Sequence, residues 1–173
     1  MSIEPRFIVD TMLGNVARWL RILGYDTLYR RDLKDWDIIR IAKREDRVVV
    51  TSDKSLHRKA LLNGLLSIYI DNPDISGKLA YIAYITGIRL YVDLGRTKCP
   101  VCNTDLVKVS KNNVENKVPR GVYRMYSDFW MCRKCGKIYW IGGHWVKIEE
   151  VLKNARRILE EYRLTRAKGA VTG

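Results

Sequence analysis

Two aspartates in the sequence follow closely on short apolar runs. Asp10 comes directly after residues 7–9 (Phe-Ile-Val), and Asp53 comes two residues after the β-branched run 48–51. Runs of this kind, bounded by polar residues, are typical of buried strands. Because side chains at the carboxyl ends of parallel strands converge in one crevice, we expect the two carboxylates to lie close together. A divalent cation and a phosphodiester require such paired carboxylates, so the spacing indicates a metal-dependent nuclease.

A third carboxylate, Asp35, stands where a helix is expected to begin, with Asp37 two residues later. A helix that begins at the same end of the sheet aims its first carboxylate at the same crevice. We therefore predict Asp10, Asp35 and Asp53 as catalytic residues and Asp37 as an alternative ligand. An aspartate at a helix start is more often a cap that accepts hydrogen bonds from backbone amides, and that alternative stays open.

The four cysteines form two Cys-x-x-Cys pairs, Cys99–Cys102 and Cys132–Cys135. Two thiolates separated by two residues can hold one ion, and a second pair completes a tetrahedral four-sulfur site. Such a site has no open position, so we predict a structural zinc; disulfides and an iron–sulfur cluster are the alternatives. Because basic residues surround the cysteines, the segment is expected either to touch nucleic acid or only to buttress the main domain; they are Lys98, Lys108, Lys111, Arg133, Lys134 and Lys137.

Strands that alternate with helices are predicted to position these residues. The expected strands cover residues 7–9, 25–29, 48–51, 65–70 and 88–92, and the helices cover 13–23, a segment capped by Asp35, 55–62 and 75–86. This order predicts an α/β fold with a doubly wound parallel sheet. We divide the chain into a nuclease domain at 1–95, a zinc ribbon at 96–146, and a closing amphipathic helix with its tail at 147–173.

The charge balance favours a polyanionic partner. The sequence has 32 Lys and Arg against 19 Asp and Glu, a formal net charge of +13. Phosphate contacts provide affinity that does not depend on sequence, so nucleic acid is the expected partner; the alternative is a surface that is simply basic. No apolar run reaches the roughly 18 to 20 residues of a membrane span, and the N-terminus leads directly into a strand without a signal peptide. These features predict a cytoplasmic protein with no membrane partner.

Three basic residues are candidates for contact with RNA phosphates. Arg18 and Arg21 are three apart on a predicted helix and so share a face, and Lys54 follows Asp53. The planar donor fork of arginine suits phosphate oxygens. The alternative for the arginine pair is a solvated helix surface.

Several motifs together resemble the Mut-seven C-terminal ribonuclease domain family. They are the segment FIVDTMLGNVARWLRILGYD at 7–26, RVVVTSDK at 47–54, and the paired cysteine knuckles. The resemblance spans about residues 6–146 and implies a PIN-like fold with a zinc ribbon on its C-terminal side. It also implies an Mg²⁺- or Mn²⁺-dependent ribonuclease that cuts single-stranded RNA. By position, Asp10 is similar to the first PIN aspartate, Asp53 to the one in the strand-end Thr-x-Asp motif, and Asp35 to the one that opens the intervening helix.

The sequence departs from the family pattern at several positions. The usual acidic residue on an early PIN helix has no clear counterpart, and Asp26 or Asp32 is the candidate substitute. Ser52 stands where the family often has Arg. The segment WIGGHW at 140–145 resembles the closing motif of the family, and it implies that His144 reaches RNA or the rim of the active site. The other histidine, His57, has no such support.

The leading hypothesis is therefore an endoribonuclease whose zinc ribbon grips the RNA. One alternative keeps the fold and the charge without efficient cleavage, as a non-catalytic protein that binds RNA or the ribosome. Another is a toxin-like PIN protein that an antitoxin holds inactive.

Overall fold

Four parallel strands form the sheet in the computed structural model, which describes residues 4–171. They are β1 (Arg6–Val9), β2 (Thr27–Leu28), β3 (Arg47–Thr51) and β4 (Ser67–Tyr69), in the order β2-β1-β3-β4. All five residues of β3 are buried, as expected for a central strand covered on both faces. We refer to the amino end of the sheet, where its strands begin, and to the carboxyl end, where they finish.

Helices cover both faces of this sheet. The alternation along β1 sends Phe7 and Val9 to one face and Ile8 to the other. Helices α1 (Gly14–Ile22) and α4 (Ile75–Thr86) pack on the first face, and α2 (Asp35–Glu45) and α3 (Lys54–Leu62) pack on the second. The structure thus confirms the α/β fold with a parallel sheet.

A second, antiparallel sheet carries the cysteines. It consists of β5 (Leu106–Val109), β6 (Phe129–Cys132) and β7 (Ile138–Tyr139), in that order, with α5 (Arg120–Met125) inserted between β5 and β6. The last helix, α6 (His144–Val171), returns to the main domain and packs against α4. Its buried residues Leu152, Ala155 and Leu159 belong to the same core as the sheet. The closing helix is therefore part of the main core, and it begins three residues before the boundary predicted at 147.

One predicted strand is wrong. Residues 88–92 form no strand, although Ile88 and Leu90 are buried in the core. Side chains satisfy their backbone groups instead of a neighbouring strand: the N–H of Arg89 donates to the Tyr25 hydroxyl, and the carbonyl of Leu90 accepts from Arg156. The apolar pattern therefore correctly indicated burial. No strand forms because these backbone groups bond to side chains and not to a neighbouring strand.

Across residues 4–171, no helix combines the length and the apolar composition needed to cross a membrane.

Candidate metal centres

The four cysteine sulfurs form one compact cluster. All four Sγ atoms lie within 4.8 Å of one another, and all four thiols are free. Cys99 Sγ is 3.7 Å from Cys135 Sγ, and Cys102 Sγ is 3.3 Å from Cys132 Sγ. A tetrahedral zinc with Zn–S bonds near 2.3 Å separates its sulfurs by about 3.8 Å. The donor set therefore fits a single structural metal ion, and zinc suits it best.

The two Cys-x-x-Cys turns, the first knuckle at 99–102 and the second knuckle at 132–135, have matching backbone geometry. The residue after the second cysteine of each pair, Asn103 or Gly136, has a positive φ, of 64° and 73°. Each donates its N–H to the carbonyl of the first cysteine in its pair at 2.9 Å. The N–H of that first cysteine donates in turn to the carbonyl five residues later, at 2.7 Å and 2.9 Å. The left-handed conformation explains the glycine and asparagine at these positions.

A hydroxyl that the sequence did not single out completes the surroundings of the cluster. Tyr139 Oη lies 3.2 Å from Cys99 Sγ. Burial raises the pKa of Tyr139, with the neighbouring thiolates adding to the effect, so the hydroxyl stays protonated and can donate to a thiolate. Such outer hydrogen bonds orient metal ligands and tune them. In the sequence, the only signal for this contact is that Tyr139 lies four residues after Cys135.

The first knuckle is fastened to the amino end of the parallel sheet through Arg21. This side chain is 5% exposed, and its guanidinium donates to the carbonyls of Thr27, Pro100 and Val101, each at 3.0 Å. Its neighbour Arg18 is exposed. The predicted phosphate contact of Arg21 is therefore not supported, because the side chain is buried and its Nε and Nη1 already donate to backbone carbonyls.

Asn103 completes this attachment. Its Oδ1 accepts from the N–H of Thr27 at 2.9 Å. Thr27 lies on the edge strand β2, and its backbone faces away from β1, because Phe7 of β1 pairs with the flanking Asp26 carbonyl. Arg21 and Asn103 thus take both outward-facing backbone groups of Thr27. An edge strand with its N–H and C=O occupied cannot pair with another chain, which removes an aggregation hazard.

Asp26 belongs to this amino end, and it is not part of the candidate acidic site. Its carboxylate accepts from Arg47 at 2.9 and 3.1 Å, from Arg6 at 3.0 Å and from Asn103 at 2.7 Å. Burial opposes ionisation, but these hydrogen bonds, that of Arg47 foremost, lower the pKa of Asp26 to about 2. At neutral pH the carboxylate is therefore an ionised anchor between the sheet and the ribbon.

Asp10 lies at the opposite, carboxyl end of the sheet and is 7% exposed. Its Oδ1 accepts from the N–H of Thr11 at 2.6 Å, and its Oδ2 accepts from the Thr51 hydroxyl at 2.8 Å. The same Thr51 oxygen accepts from the N–H of Asp53 at 2.9 Å. Thr51 is fully buried and joins the ends of the two central strands. The sequence pattern marks Thr51 only as the last residue of a predicted strand and gives no sign of this linking role.

Asp53 caps α3 and keeps one carboxylate oxygen free. Its Oδ1 accepts from the N–H groups of Ser55 at 2.6 Å and Leu56 at 3.2 Å. Its side chain is exposed, and Oδ2 has no hydrogen bond to any described residue. The capping alternative is thus correct for Asp53, as it is for Asp10, which caps the short 3₁₀ turn after β1. A carboxylate has about four acceptor positions, so capping leaves room for a cation.

The other predicted acidic residues are engaged elsewhere. Asp35 is the first residue of α2, not its cap, and its Oδ2 accepts from Lys59 of α3 at 2.8 Å. Asp37 closes a capping box with the N–H of Lys34 and binds Arg40, and the exposed Asp32 pairs with Arg30. Among the described residues, the cysteines alone form a group of three or more ligands within reach of one ion. Asp10, Asp35 and Asp53 are therefore not gathered into a ready three-carboxylate set.

A further carboxylate at this end was missed. Asp71 follows directly on Ile70, whose N–H donates to the Thr51 carbonyl at 2.9 Å, so Asp71 lies next to the end of β3. Its side chain is exposed. The strand-end argument applied to Asp10 applies equally to Asp71, which directly follows the strand predicted at 65–70.

The remaining predicted contacts to RNA lie on different parts of the surface. Lys54 is exposed at the carboxyl end, with its Nζ 5.9 Å from the Tyr69 ring centroid. His144 is exposed at the start of α6, on the ribbon side. His57 is packed, with Nδ1 2.9 Å from the Ser67 hydroxyl, as expected for a histidine without a functional motif.

The geometry agrees with the one comparison that gives a match. The family model of the Mut7-C RNAse domain matches residues 5–152 of the 173, which include the parallel sheet, the ribbon and the first turns of α6. No curated protein and no solved structure matches the sequence significantly.

Proposed function

Because this chain belongs to the Mut7-C RNAse domain family, whose name indicates ribonuclease activity, we propose that it cuts single-stranded RNA with a divalent cation held at the carboxyl end of the sheet. The supporting observation is the link from Asp10 through Thr51 to Asp53. It holds the carboxylate of Asp10 and the backbone of Asp53 at the ends of the two central strands, where ligands bind in open α/β sheets.

The donor set suits Mg²⁺ or Mn²⁺ better than a cation that needs many protein ligands. Mg²⁺ keeps several waters and usually takes one or two carboxylates together with substrate phosphates. Asp10 and Asp53 would hold it, with Asp71, which follows the neighbouring strand β4, as a further candidate. When bound, the cation would neutralise charge that develops on the phosphodiester and would activate water for in-line attack.

The protein's own residues would keep the site in place. The Thr51 hydroxyl orients the Asp10 carboxylate and accepts from the N–H of Asp53, and the exposed Lys54 and Arg18 can contact phosphates. Asp35 joins the site only if its ion pair with Lys59 opens, so it is a conditional ligand.

The test is cleavage of a labelled single-stranded RNA with Mn²⁺ or Mg²⁺, by the wild type and by an Asp10→Asn/Asp53→Asn variant. We expect the double variant to lose at least about a hundredfold in activity, since even outer residues of a metal site contribute 10- to 100-fold. A product pattern of internal fragments would identify endonucleolytic cutting. Equal activity of both proteins would refute the site.

Asp46→Asn is the matched control. Asp46 directly precedes β3, at the amino end, and has a φ of 50°, which asparagine tolerates. It makes the same chemical change next to the same strand, so we expect full activity. A comparable loss in Asp46→Asn would mean that the double variant fails for structural reasons.

The Asp35–Lys59 ion pair favours a second candidate, a protein that binds RNA or the ribosome without cutting efficiently. The ion pair removes Asp35, one of the three predicted carboxylates, from the catalytic site. The net charge of +13, which favours RNA binding, is unaffected. RNA binding without cleavage by the wild type, in the same assay, would select this candidate.

A further inference from the structure

A groove on the ribbon lies outside the candidate site at the carboxyl end of the sheet and, within the described part of the chain, shares no lining residue with it. It has a volume of about 580 Å³, and it runs between α5 and the first turn of α6. That size is within the range of ligand-binding clefts. Its principal lining residues are Val122, Met125, Tyr126, Trp140, His144 and Lys147.

Two aromatic rings are held side by side in this groove. The ring centroids of Tyr126 and Trp140 are 6.5 Å apart, and their planes are inclined by 36°. A Cβ added at Gly142 would meet the indole Nε1 at 2.8 Å, so the glycine lets Trp140 lie against the backbone. The neighbouring Met125 is 74% exposed and apolar. Rigid rings beside an exposed apolar side chain offer a surface on which nucleobases can stack.

The charge around the groove matches a phosphate chain. None of its described lining residues is acidic, and Lys147 and His144 stand on one wall. Arg120 and Arg124 are exposed on α5, which forms the other wall. Residues 96–147 hold eleven Lys and Arg against three Asp and Glu, which is most of the net charge of the chain. Two of those three acids, Asp105 and Asp128, are paired with lysines.

We propose that this groove binds single-stranded RNA by stacking one or two bases on Trp140 and Tyr126 and contacting the backbone with Lys147. The proposal rests on the proposed function for its ligand class, and it adds a substrate-binding site distinct from the acidic site. The first knuckle is attached at the amino end of the parallel sheet, and its Cys99 Sγ lies 3.2 Å from the hydroxyl of Tyr139, the residue before Trp140. Asp10 and Asp53 lie at the carboxyl end. The groove would therefore retain RNA at a point away from the bond that is cut.

Binding is measured by fluorescence anisotropy on the full zinc-loaded chain, with a labelled single-stranded RNA and no added divalent cation. Loss of base stacking in Trp140→Ala should weaken binding about 5- to 150-fold. Lys147→Gln should reduce the magnitude of the slope of log affinity against log salt by about 1, the value expected for the loss of one phosphate contact. Lys153→Gln is the matched control, because Lys153 is exposed on the same helix and does not line the groove; its affinity and slope should equal those of the wild type.

Crosslinking with RNA that contains 4-thiouridine keeps the test valid if Trp140→Ala fails to fold. Crosslinks to peptides that contain Tyr126 or Trp140 support the proposal. Crosslinks confined to the peptides around Asp10 and Asp53 overturn it, as does unchanged affinity in Trp140→Ala and Lys147→Gln, which would leave the groove to a protein partner. Binding that depends on the groove in a wild type that does not cut RNA would refute the proposed function alone.

Discussion

At the amino end of the parallel sheet Asp26 accepts hydrogen bonds from two arginines and an asparagine, whereas at the carboxyl end Asp10 and Asp53 accept only from backbone amides and hydroxyls. Both ends place aspartates next to the two central strands. Guanidinium groups neutralise the charge of the first, and neutral donors leave the charge of the other two in place.

This difference separates a structural carboxylate from one that can recruit a cation. The charge of Asp26 is neutralised and its acceptor positions are occupied by Arg47 and Arg6, so this carboxylate does not attract a metal ion. Through Asn103 it connects the sheet to the ribbon. Neutral donors fix the geometry of Asp10 and Asp53 without cancelling their negative charge. We therefore expect substitutions at the amino end to affect stability and substitutions at the carboxyl end to affect RNA cleavage.

The largest effect on stability should follow loss of the zinc that we propose for the ribbon. Cys132→Ser removes one of four ligands, and structural zinc supplies on the order of 10 kcal/mol to small metal-bound segments. We expect one zinc per wild-type chain, well under one in the variant, and a Tm at least about 10 °C lower. Metal analysis and thermal unfolding provide the measurement.

Lys134→Ser controls for this change, because Lys134 is an exposed residue between the two cysteines of the same knuckle. It should keep both the zinc and the Tm. A wild type that contains no zinc and melts together with Cys132→Ser would contradict the assignment.

Much of the amino end could not be predicted from the sequence. The cysteine pairs are local patterns, and so are the strand-end positions of Asp10 and Asp53, which is why these were found. The partners of Asp26 are 20, 21 and 77 residues away along the chain, and no local pattern encodes such contacts. For the same reason Arg21 was assigned to a phosphate, although its burial depends on carbonyls 79 and 80 residues further on.

The next largest effect is expected for Arg47→Met at the amino end. Arg47 has a side chain 6% exposed and donates to Asp26, Glu45 and the Phe7 carbonyl. Breaking a buried ion pair from one side costs about 3 kcal/mol, which should lower the Tm by about 6 to 12 °C. RNA cleavage measured well below that Tm should be retained.

Asp10→Asn is the counterpart at the carboxyl end, and it should reverse this pattern. We expect it to change the free energy of unfolding by less than about 1 kcal/mol and to abolish cleavage. The amide oxygen keeps the hydrogen bond from the N–H of Thr11, and the Thr51 hydroxyl can accept from the amide NH2. A stability loss as large as that of Arg47→Met would remove the distinction between the two ends.

Thr51→Val tests how the carboxyl end is organised. Valine keeps the volume and removes the hydroxyl that joins Asp10 to the N–H of Asp53. We expect kcat/KM for RNA to fall about 10- to 100-fold, as for residues that orient metal ligands, and the free energy of unfolding to fall by about 1 to 2 kcal/mol. Thr51→Ser keeps the hydroxyl and should recover most of the activity. Equal losses in both variants would show that packing, and not the hydroxyl, matters.

The smallest effect is expected in the acid dependence of stability. Hydrogen bonds from Arg47, Asn103 and Arg6 overcome the opposing effect of burial and lower the pKa of Asp26 from 3.8 to about 2. A carboxylate whose pKa is lower in the folded state stabilises the protein above its unfolded pKa, and this contribution is lost as the pH falls through the folded value. The stabilisation should therefore be complete above about pH 4 and disappear between about pH 4 and pH 2.

Glu45 has its pKa lowered by Arg44 and Arg47 and responds in the same direction, so the Asp26 contribution must be isolated as the difference between the wild type and Asp26→Asn. With the side chain 30% exposed, solvent screening limits that difference to about 1 to 2 kcal/mol at pH 6. Urea unfolding at pH 6, 4 and 3 should show it shrinking as the pH falls. A difference that stays constant over this range would mean that the amino end is held by the shape of the Asp26 side chain and not by its charge.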